Sequence, residues 1–553
     1  MMEEKKAVDD AFFELIPPEE FSAEQKGFSV GRFYGNLSLH RFLREPAYFD
    51  DVEWKSYDNI SVWRANETIL SIGRTAYGQY DERRLCFNIY DDDEVSHEDK
   101  LKFAIFGKTD KAIAETATWF LSLQHSDESH VDYLDFLIYG FENNFLFASL
   151  KATKLARILD ASPQRRFHFN TGILSASQAL VLATRPYPFH LRLIHRRKGD
   201  FGFKDKGKAF VDTLEKRQSP FGSLGITGMP FSSANLERLL ELEGMFDTLF
   251  VHMPDDDFVV DFLSAKVNAV DCAVDLEQIE AEDFHDLDIV AKDLKFKVFA
   301  DGDLDDWQEI LIAFWDRVAE LGHFERLNFV FSCSLIFSFP SVAPVAEALV
   351  RAIRTNSQLT YLDLSGYSRC FDWVAHLGSI LEAMEEHTAL QTFVVDISNK
   401  SRGVFPQNNF QYIWLEKLLS RNRKINVVDE FGTRITNGTT IDKLYALNDF
   451  YNGSASLVKT KQTATRSFLV VKALTERASS NFRYTELLMS HHADMMCELL
   501  SGVDLETVAN TRAEVVEEVT SVARPSASRR TAAAKRRRVQ PTGRSKKASR
   551  SVA

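Results

Sequence analysis

The chain has 553 residues, 45% hydrophobic and 26% charged, a balance that excludes wholesale disorder and is enough for several folding units or one long repeat array. The net charge of −14 divides unevenly: Arg524 to Ala553 holds eleven of the 66 Lys and Arg and none of the 80 Asp and Glu, which leaves 55 basic against 80 acidic side chains, a net of −25, on residues 1–523. Such a body repels nucleic acid, because phosphate binding needs clustered cations that displace condensed counterions, and only the tail supplies them.

The N-terminus, Met1-Met2-Glu3-Glu4-Lys5-Lys6, lacks the apolar stretch of a secretory signal. The five cysteines (Cys86, Cys272, Cys333, Cys370 and Cys497) are widely spaced with no C-x-x-C pair, which argues against a disulfide framework or a cysteine-rich zinc module. A reduced, intracellular protein is expected, with the N-x-[ST] matches at Asn36, Asn59, Asn66, Asn437 and Asn452 coincidental. Leu15-Ile16-Pro17-Pro18-Glu19-Glu20-Phe21 resembles the start of an F-box, a helical module that links leucine-rich repeats to ubiquitin ligases, although Gly27 and Gly31 oppose its next helix.

Residues 1–150 read as a mixed α/β or β-rich region of unknown type. Strands are predicted over Val52–Trp63, Thr68–Ile72, Arg84–Tyr90 and Leu101–Phe106, followed by a helix near Ala112–Leu123. Gly107-Lys108-Thr109 has the ending of a phosphate loop, but the first glycine is replaced by Lys102, so it reads as an ordinary strand-to-helix turn.

From about residue 160 a β-type pair of apolar residues recurs: Phe167/Phe169, Leu191/Leu193, Leu224/Ile226, Leu249/Val251, Val270/Cys272, Phe296/Val298, Leu327/Phe329, Leu362/Leu364, Phe393/Val395 and Ile425/Val427. Steps of 21 to 35 residues separate them, and units of this size bury a hydrophobic face only by stacking. The intervals read as helices. Trp307, Leu311, Trp315, Val318 and Leu321 form one apolar face behind a candidate N-cap at Asp303, and Phe371, Val374, Leu377, Leu381 and Met384 form another. Pro344 opens a helix holding Val345, Leu349 and Ile353. Asn328 to Ala346 is uncharged over 19 residues, but Pro340 and Pro344 make it a buried strand, a loop and a helix start, with no membrane span. The carboxylate runs at Asp91–Asp93, Asp255–Asp257 and Asp301/Asp303/Asp305 lack the glycine and closing glutamate of a calcium loop and read as solvated loops or helix starts.

The sharpest unit, Leu359-Thr360-Tyr361-Leu362-Asp363-Leu364, resembles the L-x-x-L-x-L core of leucine-rich repeats, and Leu390-Gln391-Thr392-Phe393-Val394-Val395 is a looser copy. The repeat length is similar to the ribonuclease-inhibitor-like class, with Tyr367 where the family's Asn would stand. The resemblance implies an α/β solenoid over residues 160–436, with a concave parallel sheet and convex helices. The residues alternating with the buried strand positions then face the concavity: His168, Arg192, Phe250, His252, Asp271, Asp363 and Asp396. That set has an acidic bias, which suits a folded protein or basic peptide as ligand.

Residues 437–512 read as a helical C-terminal cap, with helices at Ile441–Phe450, Thr465–Ala478 and Tyr484–Leu500, and residues 513–553 as a disordered basic tail. His491 and His492 diverge by roughly 100° on a helix, a poor metal pair even with Cys497 nearby. Lys535-Arg536-Arg537-Arg538, with Lys546-Lys547 following, resembles a nuclear import signal read by an import receptor, or else supplies nonspecific nucleic-acid contact. No catalytic motif or cofactor fingerprint is present. The expectation is a non-enzymatic, nuclear protein-binding scaffold without a cofactor, cytoplasmic if the tail is not an import element. The alternatives are a ubiquitin-ligase substrate adaptor, a small-GTPase regulator or tail-mediated chromatin contact.

Overall fold

The computed structural model describes residues 12–29, 38–57, 59–73, 83–90, 101–126, 135–139, 145–195, 201–252, 260–300, 307–333, 342–366, 376–396, 409–458, 463–478, 481–495 and 497. The chain forms two compact units, Met1–Asn452 and Gly453–Ala553.

The first unit opens with β1 (Phe13–Leu15), α1 (Ala23–Ser29), β2 (Leu39–Phe42), β3 (Asn59–Arg64), β4 (Thr68–Gly73), β5 (Arg83–Tyr90), β6 (Leu101–Gly107), α2 (Asp110–Leu121) and β7 (Asp135–Tyr139). These strands lie in the order 1-2-3-4-6-5-7, and every pair except β2–β3 is antiparallel. The strand expected from Val52 starts only at Asn59, because Trp54 enters a 3-10 turn and gives its indole N–H to the Phe49 carbonyl at 2.7 Å. Gly107-Lys108-Thr109 is the strand-to-helix turn, with Thr109 Oγ1 capping α2 by accepting from the Ala112 amide.

β7 then pairs in parallel with β8 (Arg166–Phe169), and the chain climbs one strand at a time. The order is α3 (Ala152–Ala161), β8, β9 (Ile173–Leu174), α4 (Ala176–Ala183), β10 (Phe189–Ile194), β11 (Gly202–Phe203), α5 (Lys208–Leu214), β12 (Gly222–Thr227), α6 (Ser233–Leu240), β13 (Phe246–His252), β14 (Ala269–Asp275), β15 (Asp293–Ala300), α7 (Trp307–Leu321), β16 (Arg326–Cys333), α8 (Ala343–Thr355), β17 (Tyr361–Gly366), α9 (Leu377–Met384), β18 (Thr392–Val394), α10 (Asn409–Arg421) and β19 (Asn426–Val428). β9 and β11 form a separate two-stranded ribbon, and the other strands make one sheet of 17, parallel from β7 to β19. Among the described residues, the two intervals on either side of β14 hold only 3-10 turns, at Asp261–Ser264, Leu276–Gln278 and Ala281–Phe284. The candidate N-cap Asp303 and the helix-face residues Phe371 and Val374 lie outside the described residues.

One row of partners runs through the parallel strands, with one-residue register shifts to either side of it between β12 and β13 at Gly222/Ser223 and between β16 and β17 at Asn328/Val330. Phe136, Phe167, Leu191, Leu224, Leu249, Val270, Leu294, Leu327, Leu362, Phe393 and Val427 are successive partners, and all are buried. Eight of the ten expected pairs sit on this ladder. The pairs at β15 and β19 are displaced by two residues, Leu294 replacing Phe296 and Val427 replacing Ile425. A shift of two keeps the same face inward, so alternation alone does not fix it, and β15 offers Leu294, Phe296, Val298 and Ala300 as equivalent buried choices. Phenylalanines add a second continuity: the rings of Phe136, Phe167, Phe189, Phe221 and Phe246 follow one another at 5.5, 5.9, 5.8 and 5.7 Å. At the final edge, Val427 donates its N–H to the Tyr445 hydroxyl at 3.2 Å, and its carbonyl accepts from that hydroxyl and from the Ile435 amide, each at 3.0 Å.

In the second unit, α11 (Thr440–Val458, begun in the first) ends, and α12 (Thr463–Ala473), a π-helical turn at Leu474–Ala478 and α13 (Phe482–His491) follow, with Val470, Ala478 and Leu488 buried. Among the described residues no helix is long and apolar enough to cross a membrane, and the uncharged stretch from Asn328 divides into β16 and an α8 that carries Pro344 in its first turn.

Unpaired carbonyls at helix C-termini are tied by polar side chains from the following unit. Arg165 Nη1 bonds Leu121 O at the end of α2 at 2.8 Å, Arg217 Nη1 bonds Ala183 O of α4 at 2.8 Å, and Asn356 Nδ2 bonds Val318 O of α7 at 3.1 Å. His387 Nε2 meets Asn356 O at 2.9 Å, Asn422 Nδ2 meets Met384 O of α9 at 3.0 Å, and Asn448 Nδ2 meets Leu419 O of α10 at 2.8 Å. Asn356 is fully buried and also receives the Phe324 amide on Oδ1 at 3.0 Å, so its removal strands several polar groups in the interior. Asn356→Ala should lower unfolding free energy by about 2–3 kcal/mol, whereas Arg351→Ala, which breaks a half-exposed pair with Asp316, should cost at most about 1 kcal/mol. Equal denaturation midpoints for the two variants would refute the tie.

Candidate binding face of the sheet

Alternation along the strands sends one residue set into the core and the other to the opposite face of the sheet. β10 and β15 show this without interruption: Leu191, Leu193, Leu294, Phe296 and Val298 are buried, while His190, Arg192, Lys295 and Lys297 are partly exposed. The helices pack on the first side, where the Phe296 ring lies 4.5 Å from that of Phe314 on α7. The second face is the candidate site.

The common register lines the second face up in rows. Leu137, His168, Arg192, Gly225, Phe250, Asp271, Lys295, Asn328, Asp363 and Val394 are consecutive neighbours across ten strands. Five residues expected to face the concavity, His168, Arg192, Phe250, Asp271 and Asp363, therefore stand in a single row. His252 stands one row further along, beside Ala273 and Lys297. Asp396 follows β18 and lies outside the strand, off the row.

Small residues in two rows let side chains from non-adjacent strands meet. Gly225 has no Cβ, and one placed there would lie 2.4 Å from Arg192 Cγ, so the arginine stem crosses β12 over the glycine. Its guanidinium carbon then rests 4.6 Å from the centre of the Phe250 ring on β13. The His252 ring on β13 likewise meets the ring of Phe299 on β15 edge to face at 5.8 Å, past Ala273 and one row beyond its partner Lys297. A hollow of about 360 Å³ lies over these strands, lined by Arg192, Phe250, His252, Asp271, Lys295 and Lys297 among others. A second of about 270 Å³ adjoins it, with Arg166 and His190 in its wall and His168, Arg192 and Phe250 shared.

The electrostatics differ from the acidic bias of the seven expected residues. Arg166, Lys295 and Lys297 also line the hollows, and Asp271 is spent on Lys295 at 3.0 Å. Asp363 is consumed structurally: it accepts from Asn328 Nδ2 at 2.9 Å, the Tyr361 hydroxyl at 3.1 Å, and the Ser365 amide and hydroxyl at 2.9 and 2.6 Å. Burial lowers the His190 pKa and the adjacent Arg166 lowers it further, so this imidazole is neutral at physiological pH. For Lys297, burial comes first and Lys295 second in lowering the ammonium pKa. Arg166, Lys295, Lys297 and the Gly225 gap were not singled out from sequence. Alternation in Leu294–Val298 would have given the two lysines, but the pairing that brings them beside Asp271 belongs to the register.

The import-signal residues Lys535, Arg536, Arg537, Arg538, Lys546 and Lys547, and the acidic runs at 91–93, 255–257 and 301–305, lie outside the described residues. Among the described residues no group of three or more His, Cys, Asp or Glu is placed to hold a metal. His491 and His492 converge instead on Ser454. Arg466 donates to His492 Nδ1 at 3.2 Å, so His492 Nε2 carries the proton and donates to Ser454 Oγ at 3.1 Å, and Ser454 in turn meets His491 Nδ1 at 3.0 Å. His492 is thus a donor to Ser454 and not its base. Burial, and next the Arg466 charge, depress the His492 pKa from 6.5, so protonation favours the unfolded state. The contribution is complete above about pH 6.5 and is lost as pH falls through the depressed value. Amide protection of α13 should fall in that window and should stay level in His492→Gln, which preserves both bonds without titrating; the same acid loss in the variant would refute the assignment.

Compared with known proteins, the chain matches no family model and no curated protein.

Proposed function

We propose that the chain is a non-enzymatic binding scaffold of the leucine-rich-repeat kind that captures a protein or peptide on the face of its parallel sheet opposite the described helices. The single observation that carries this reading is the row from His168 to Asp363, a polar and aromatic strip held in register by eight strands. A strip built this way is rigid, because each member is fixed by a buried neighbour on either side in sequence. Rigid, preorganised surfaces bind with less ordering cost than loops. A continuous row of buried partners, one strand per step and repeat-to-repeat ties at the helix ends support the repeat kinship.

A Phe250→Ser, Lys297→Ser double variant should lose a partner cross-linked to the wild-type protein in cells, while Arg351→Ser on the helical side should retain it. Retention of the same partner by both would remove the sheet face from the function.

The basic tail is proposed as the import element, with an import receptor as its partner. A tagged protein lacking residues 524–553 should leave the nucleus and spread through the cytoplasm; an unchanged nuclear distribution would refute the tail's role.

A further inference from the structure

Taking the binding-face reading as its basis, we propose that the hollow centred on Arg192 anchors a carboxylate side chain of an acidic peptide segment, whose backbone continues along the row to Asn328.

Three observations converge on this ligand. Arg192 is presented and unspent: its stem lies over Gly225, its guanidinium stacks on Phe250, and no described carboxylate lies within ion-pair distance of it. Stacking on a ring occupies the face of a guanidinium and leaves its N–H edge for a carboxylate, which the planar fork matches with two parallel bonds. Lys297, on the same hollow, also has no described ion-pair partner; its ammonium nitrogen lies 4.6 Å from the Phe299 ring centre. The depressed pKa of Lys297 marks a cation held at a cost, which an incoming anion would relieve.

The third observation selects a peptide over a small anion. Asn328, in the same row as Arg192, donates Nδ2 to Asp363, while its Oδ1 is buried without a hydrogen-bond partner. A buried acceptor left unpaired costs about 1–3 kcal/mol, and a peptide N–H satisfies it once the Asn328 amide turns out to meet it. β10 and β16 are five strand spacings apart, roughly 24 Å. A phosphate or a free amino acid reaches one of these points, whereas about seven residues of extended chain reach both.

The test is a selection of random linear peptides displayed on phage against the full chain, followed by affinity measurement of the enriched peptides. Acidic sequences should be enriched. Their binding should weaken at least about tenfold in Arg192→Gln and in Gly225→Ala, whose new Cβ displaces the arginine, and about threefold to tenfold in Asn328→Leu. Arg351→Gln, on the helical side, should leave it unchanged. Each variant is used only if its thermal midpoint matches that of the wild type, and the two independent routes to a displaced Arg192 cover a failure of either to fold. Enriched peptides that are neutral or basic but lose binding in Phe250→Ser would overturn the acidic anchor and leave the binding face standing. Peptides indifferent to Arg192, Gly225, Phe250 and Asn328 alike would overturn both.

Discussion

The structure depends on the ladder that runs from Phe136 to Val427. Each rung is a buried side chain from one strand, paired in parallel register with the same kind of side chain on the next. Fully burying one such residue is worth roughly 1.5–3 kcal/mol, so a one-residue slip in any strand would forfeit several rungs' worth by turning them to the open side. Because inward residues are locked in line, their neighbours in sequence are locked in line on the opposite face. The candidate binding row is therefore the reverse side of the core.

The helices obey the same logic with different chemistry. A helix end leaves carbonyls unpaired, and stacking repeats would bury some of them. Arg165, Arg217, Asn356, His387, Asn422 and Asn448 each supply a donor to the carbonyls of the preceding unit or helix end. Donor identity changes from Arg to Asn to His, while the place it fills stays the same. Arg165 is the extreme case: it is fully buried beneath Phe136, and burial pushes its pKa down to about 10.

Much of the architecture is legible in the sequence because apolar alternation is a local signal. All ten strands of the array fall where paired apolar residues occur, and α7, α8 and α9 follow from three- and four-residue spacing. Register is a different matter. At β15 four alternating apolar residues give the same pattern under a two-residue shift, and only pairing with Val270 and Leu327 chooses Leu294. The continuity of β7 with β8, which brings residues before 150 into the same sheet, is a contact between distant segments with no local mark. The site was half legible for the same reason. His168, Arg192 and Phe250 could be chosen by alternation, but the gap at Gly225 that joins the last two is defined only when three strands lie side by side. Asp363 also follows from alternation, but its bonds to Asn328, Tyr361 and Ser365 give it a supporting task.

The last strand carries a consequence of another kind. A growing parallel array has no intrinsic reason to stop, since each edge presents the donors and acceptors that recruited the strand before it. At β19 the Tyr445 hydroxyl takes the Val427 N–H and shares the Val427 carbonyl with the Ile435 amide, doing with one phenol and one turn what another strand would have done. At the opposite margin β1 is only three residues long. An edge strand whose central N–H and carbonyl are already taken gives a second molecule fewer free groups to pair with.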